Sequence, residues 1–137
     1  MTLDLQGDQQ AQEQFSRWLS AFPLFAQVDR FWLEPGGARA LILGGKLEID
    51  LGLGVVDGAL LVTFENARQR VFGASRIPEA VWLGKVAAVV KQAALAAPKS
   101  VSLTLIGDVL WVRVAGVRFV RVLINAERLF LQVESDA

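Results

Sequence analysis

Residues 46–58 read KLEIDLGLGVVDG, and this stretch decides the fold class of the chain. Apolar side chains stand at every second position from Leu47 to Val55, and Glu, Asp and Gly stand between them. A period of two over ten residues predicts a β-strand with one buried face and one polar face. Asp57-Gly58 then predicts a tight hairpin turn, and residues 59–65 predict the returning strand. An antiparallel sheet is therefore the expected centre of the fold.

Two helices and further strands are predicted on either side of this hairpin. Asp8 is the candidate N-cap of a first amphipathic helix that ends at Phe22, because Pro23 follows. Pro78 opens a second, almost entirely apolar helix that ends before Pro98. The remaining strands are expected at 25–34, 38–43, 100–106, 109–115, 117–124 and 128–134, with residues 66–76 as a connection.

The chain is predicted to form a single α+β domain over residues 8–137, preceded by a loose tail at 1–7. A length of 137 residues suits one domain with a core of its own. We expect two helices packed on a strongly bent antiparallel sheet of about seven to nine strands. The order of helix, four strands, helix, four strands leaves open a division into two similar halves, 8–76 and 77–137.

The composition excludes several classes of function. The chain has no Cys and no His, which removes thiol nucleophiles, cysteine-type metal sites and the commonest general base. The formal net charge is +0, whereas nucleic-acid-binding domains usually carry a basic excess. We see no signal peptide and no run of roughly 18 apolar residues that predicts a transmembrane helix. We therefore expect a soluble, cytoplasmic, non-enzymatic protein without cofactor or metal.

Three motifs have a structural interpretation beside the functional one. The glycines of residues 52–58 do not match the spacing of a dinucleotide-binding loop, so they are expected to let the strand bend. Glu48 and Asp50 share a strand face and suit acid–base chemistry or a cation, but without a third ligand a solvated face is expected. Ten of the fourteen cationic residues are arginines. Their stems are expected to cover apolar strand positions, with a phospholipid head group or an acidic partner left open.

The chain carries more apolar surface than one small core needs. Apolar residues make up 53% of the chain and charged residues 20%, against averages of about 45–50% and about 25%. The strands at 109–115 and 117–124 are apolar on both faces, and the second helix is apolar on most sides. This surface is expected to be covered by an apolar ligand between helix and sheet, or by a second copy of the chain.

These two ways of burying the apolar surface define two hypotheses. In the first, the protein carries or senses a lipid-like molecule held between helix and sheet. In the second, it is a self-associating structural or scaffolding protein without a small-molecule ligand, and Trp82 is the exposed interface candidate. We expect a homo-oligomer as the physical state and lipid binding as the biochemical role. The predicted apolar lining of the ligand site consists of Leu51, Leu53, Val86, Val89, Val90, Val112 and Val122.

The segment from Ile77-Pro78 through Val114 resembles the LmeA-like phospholipid-binding domains, which belong with the tubular lipid-binding proteins. The shared pattern is a helix that opens near Ile-Pro, ends before Pro98 and continues into strands joined by the Gly107-Asp108 turn. The alternating strands at 46–65 are similar to the curled sheet of that family. The resemblance covers about half the chain and implies a long helix wrapped in a bent antiparallel sheet, with lipid held between them. It implies no individual binding residue.

Overall fold

The protein was analysed as a computed structural model. Its fold belongs to the α+β class, as predicted, and its sheet has ten strands where seven to nine were expected. The structure describes residues 2–20, 28–34, 37–70, 74–125 and 127–136.

Two helices and ten strands lie within these ranges. The helices are α1 (Gln9–Ser20) and α2 (Glu79–Ala96). The strands are β1 (Thr2–Gly7), β2 (Val28–Glu34), β3 (Gly37–Ile42), β4 (Leu47–Val56), β5 (Ala59–Arg70), β6 (Ala74–Arg76), β7 (Val101–Ile106), β8 (Val109–Val114), β9 (Val117–Asn125) and β10 (Arg128–Ser135).

All ten strands belong to one bent sheet that is not closed into a barrel. The main path runs β1-β10-β9-β8-β5-β4-β3-β2, while β6 pairs with β5 and β7 pairs with β8. Between β8 and β9 only Val114 and Val117 are paired. The two strands diverge beyond that point, and β9 is linked to the β4–β5 turn by a 3.1 Å hydrogen bond from Phe119 N to Gly58 O.

The β4–β5 hairpin follows the alternation in the sequence. Leu47 and Ile49 are buried on the inner face of the sheet, which is the side facing the helices. Val56 pairs with Ala59 across a two-residue turn. Asp57 and Gly58 in this turn both have positive φ, 50° and 75°, as a type I′ turn requires. The hairpin predicted from Asp57-Gly58 is therefore confirmed.

The structure differs from the expected loose tail at residues 1–7, because Thr2–Gly7 form the edge strand β1. This strand runs parallel to β10, from the Thr2–Arg128 pair to the Gly7–Val133 pair. A segment of six residues is too short for its sequence pattern to indicate a strand, and the partner strand lies at the other end of the chain. The pairing therefore could not be seen in the local pattern.

Helix α1 is capped as the sequence predicts. Ala11 N donates a 2.8 Å hydrogen bond to Asp8 Oδ1, which satisfies one of the free amides of the first turn. Asp8 also accepts hydrogen bonds from the backbone N and the hydroxyl of Ser135, at 2.6 and 2.7 Å. Phe15 is buried and meets Phe119 edge to face, with the ring centroids 5.8 Å apart.

Helix α2 buries a single stripe, and the expectation that Trp82 is exposed at an interface is wrong. Trp82 is only 5% exposed. It belongs to the buried stripe that continues through Val86, Val89, Val90 and Ala93, in which each residue has another three or four positions away on the same helix face. The first turn of α2 is therefore anchored in the core.

Residues 66–76 were expected to be a connection, but most of them are strand. β5 continues to Arg70, and β6 takes up Ala74–Arg76 against its far end. Residues 71–73 lie outside the described part of the chain. So do residues 21–22 of the predicted first helix and 25–27 of the predicted strand at 25–34.

Candidate functional site

A cavity of about 210 Å³ lies between the two helices and the inner face of the sheet. Both helices and seven of the ten strands contribute to its wall. Nineteen residues of the described part of the chain line it, and every one of them is apolar. They are Leu3, Phe15, Val28, Phe31, Ala40, Ile42, Ile49, Leu51, Leu53, Leu60, Val62, Phe64, Val86, Val89, Val90, Leu110, Val112, Leu129 and Leu131.

Which residues line the cavity follows from the side-chain repeat of each strand and helix. Alternate residues of a strand point to the same face, so β4 contributes every second residue from Ile49 to Leu53. The neighbouring strand β5 does the same from Leu60 to Phe64. On α2 the lining residues fall on its buried stripe. The polar residues between these positions point to the outer face of the sheet.

Six of the seven residues predicted to line a ligand site are on this cavity. Leu51 and Leu53 come from β4, Val112 comes from β8, and the remaining three come from α2. Val122 of β9 is not part of the lining; it is half-buried and packs against the core instead. Its register partner on β10, Leu131, does line the cavity.

The two ends of the sheet contribute lining residues that the sequence did not indicate. Leu3 of β1 lies at one end of the strand order, and Val28 and Phe31 of β2 lie at the other. All three line the same cavity because the sheet bends around it. The strand order that brings both ends together could not be recognised in the sequence of either segment.

The outer face of the sheet holds an ion-pair network, so the expected solvated face for Glu48 and Asp50 needs correction. Arg39 Nε lies 2.7 Å from Asp50 Oδ1, and Arg68 NH1 lies 3.2 Å from Glu48 Oε2. Glu34 joins through its contact of 3.2 Å with Arg39. Glu48 is only 9% exposed. Both carboxylates are therefore neutralised by arginine on the side of the sheet that faces away from the cavity.

The network sets the protonation of Asp50. Partial burial raises the pKa of this carboxyl, but the hydrogen bond and charge of Arg39 and the charge of Arg68 outweigh burial. The net pKa of Asp50 therefore lies below its usual value of 3.8. A carboxylate held ionised in this way supports the sheet and is a poor proton donor or acceptor at neutral pH.

Arginines also cover aromatic side chains, as expected for stems that lie along apolar strand positions. The guanidinium carbon of Arg30 lies 4.9 Å from the ring centroid of Trp32. Arg113 lies over Trp111 at 5.8 Å, and Arg128 lies over Phe130 at 5.9 Å. Cation–π contacts of this kind account for the positions of these three arginines without a phosphate ligand.

A second hollow of about 370 Å³ lies near the start of α2. Trp82 forms part of its wall together with the exposed charged residues Glu65, Arg76 and Glu79. It is a polar depression of mixed charge and is more open to solvent than the apolar cavity. Within the described ranges, no group of three or more acidic residues is placed to hold a metal ion.

The described helices include none that is both long and apolar enough to cross a membrane.

Comparisons with protein-family models, with curated proteins and with solved structures find no match. The apolar cavity is therefore interpreted from its own geometry.

Proposed function

We propose that this protein is a non-enzymatic, cytoplasmic carrier or sensor of a lipid-like or other apolar molecule, held in the cavity between α2 and the sheet. The observation that supports this proposal is a cavity of about 210 Å³ whose nineteen described lining residues are all apolar. Lining atoms without a neighbour lose dispersion contacts, and an apolar ligand restores them. Each Å² of apolar ligand surface removed from water contributes about 25 cal/mol.

The size of the cavity narrows the ligand class. Pockets for drug-sized ligands measure about 300–1,000 Å³, whereas an engineered apolar cavity of about 150 Å³ in another protein takes up benzene. A volume of about 210 Å³ suits a single acyl-chain segment or a compact hydrophobe. Because the described residues of the wall offer no polar side chain, a head group is expected to remain outside the cavity.

The gap between the sheet ends is the proposed entrance. The sheet is not closed, and its terminal strands β1 and β2 both contribute to the cavity wall. Leu3 and Phe31, which come from these two strands, are half-buried. A chain-like ligand entering here would leave its polar end at the sheet edges.

The first experiment is a fluorescence titration of the purified protein with N-phenyl-1-naphthylamine, an uncharged apolar probe. We expect saturable binding that single-chain fatty acids displace. Leu53→Trp places a larger side chain in the cavity and should weaken probe binding by about tenfold or more. Leu61→Trp is the matched control, because Leu61 lies on the adjacent strand β5 at a position that does not line the cavity.

Native mass spectrometry and solvent extraction of the same preparation would identify a co-purified ligand. Circular dichroism establishes that both variants are folded before their affinities are compared. Absence of saturable probe binding to the wild type would refute the carrier proposal. An equal loss of affinity in Leu53→Trp and Leu61→Trp would show that the probe binds elsewhere.

Self-association is a second candidate function, and strand β7 favours it. In the described part of the chain β7 pairs with β8 alone, so its other edge presents unpaired backbone groups. Its sequence, VSLTLI, contains no charge and no proline, the usual protections of a free edge. Ile106 at its end is 62% exposed. A homo-oligomer formed by pairing of two β7 edges would cover this strand.

Light scattering across a concentration series tests this second candidate. We expect a dimer for the wild type and a monomer for Thr104→Lys, which places a charge on β7. Gln10→Lys on α1 is the charge-matched control and should leave the dimer intact. A wild-type protein that is monomeric at every concentration would rule the homo-oligomer out.

A further inference from the structure

The outer face of α2, defined by Val81, Lys85, Ala88, Lys91 and Leu95, is exposed along the whole helix. Val81 is 50% exposed and Leu95 is 76% exposed, so the outer face carries an exposed apolar side chain near each end of the helix. Val81 stands four residues before Lys85, and Leu95 stands four residues after Lys91. Residues four apart are neighbours on a helix, so each apolar side chain lies beside a lysine.

Lysines are concentrated in α2 and in the residues that follow it. Three of the four lysines of the chain, Lys85, Lys91 and Lys99, fall within fifteen residues. The sequence contains no Asp or Glu between Glu79 and Asp108. Residues 80–107 are therefore basic although the whole chain has a net charge of +0, while the acidic residues Glu65, Glu79 and Asp108 lie near the start of α2.

This charge distribution distinguishes between the surfaces that could cover the outer face. A second copy docked on the same face would place lysines against lysines, which is repulsive. An anionic lipid surface is complementary, because it attracts each lysine while the exposed apolar side chains enter the interfacial region.

We propose that the outer face of α2 docks the protein on an anionic membrane surface. The docking does not require an occupied cavity, and so it goes beyond the carrier function proposed above. Val86, Val89 and Val90 on the opposite face of the same helix line the cavity. One helix therefore separates the apolar cavity from the docked surface.

The test is co-sedimentation of the full chain with vesicles, at low and high salt. Vesicles of phosphatidylcholine containing about one-third phosphatidylglycerol should bind the protein, and added salt should release it. Vesicles of phosphatidylcholine alone should bind it at least about tenfold more weakly.

Matched pairs of variants locate the contact. Lys91→Gln should lower binding about fivefold, the effect expected of one lysine near an anionic surface. Lys46→Gln removes the same charge from the turn between β3 and β4 and should have no effect. Leu95→Ser should also weaken binding, whereas Leu123→Ser, at an exposed apolar position on β9, should not.

Several results would overturn the proposal. They are equal binding to both kinds of vesicle, no binding to either, or equal effects of Lys91→Gln and Lys46→Gln. A dimer that Leu95→Ser dissociates would assign the outer face of α2 to self-association instead. Leu53→Trp should keep vesicle binding while it loses the apolar probe, so failure of docking and failure of the carrier function can be told apart.

Discussion

Gly7, the last residue of β1, tolerates a side chain less well than any other glycine of the described chain. Its φ of 126° is rarely adopted by L-residues, and an added Cβ would lie 1.6 Å from the carbonyl oxygen of Val133. The close approach is part of the parallel pairing of β1 with β10. A methyl group at this position would therefore force the two strands apart.

We expect Gly7→Ala to lower the free energy of unfolding by more than about 2 kcal/mol, because backbone strain and a steric clash coincide. Urea unfolding followed by circular dichroism measures the change. Gly54→Ala on β4 is the control, since no atom lies within 4 Å of its added Cβ. Its unfolding free energy should change by at most about 1 kcal/mol. Equal effects of the two substitutions would contradict the described pairing of β1.

At the scale of the elements, the network of Arg39, Asp50 and Arg68 joins three adjacent strands on the outer face. The pKa of Asp50 is lowered in the folded protein, so this group stabilises the fold at pH values above its unfolded pKa. That contribution is lost as the pH falls below about 3.8, through the folded pKa. The network therefore makes the stability of the sheet sensitive to acid.

We expect Asp50→Asn to destabilise the protein at pH 7 by on the order of 1 kcal/mol, because two arginines lose a partner. The variant should also lose less stability than the wild type between pH 5 and pH 3, as it no longer has a carboxyl to protonate there. Urea unfolding midpoints across about pH 3 to 7 measure both effects. Parallel pH profiles for the two proteins would show that Asp50 does not contribute to the acid sensitivity.

The elements that the sequence predicted well are those whose pattern is local. The alternation from Leu47 to Val55, the Asp57-Gly58 turn and the Asp8 cap each depend on a few neighbouring residues. β1 depends on pairing with the opposite end of the chain, so its six residues looked like a tail. Trp82 was misassigned because α2 is apolar on most sides, and its buried stripe cannot be recognised by contrast with a polar face.

On the scale of the whole molecule, the candidate site was partly predictable. The six predicted residues that line the cavity lie on β4, which alternates clearly, on β8, which is apolar on both faces, and on the mostly apolar helix α2. Leu3 and Val28 line the cavity only because the sheet bends until its two ends face the same space. Strand order and curvature are properties of the complete sheet, which no local window contains. The resemblance to LmeA-like domains and the ligand itself stay predictions.

The parallel pair of β1 and β10 also has a consequence for biosynthesis. Thr2 and Leu3 pair with Arg128 and Leu129, so β1 leaves the ribosome long before its partner strand is synthesised. Until β10 is synthesised, β1 lacks its strand partner and α1 lacks part of its packing surface. Contacts between residues so far apart in the chain slow folding and leave apolar segments exposed meanwhile. The sheet is therefore completed only after β10 has been translated, and β1 and α1 remain incompletely packed until then.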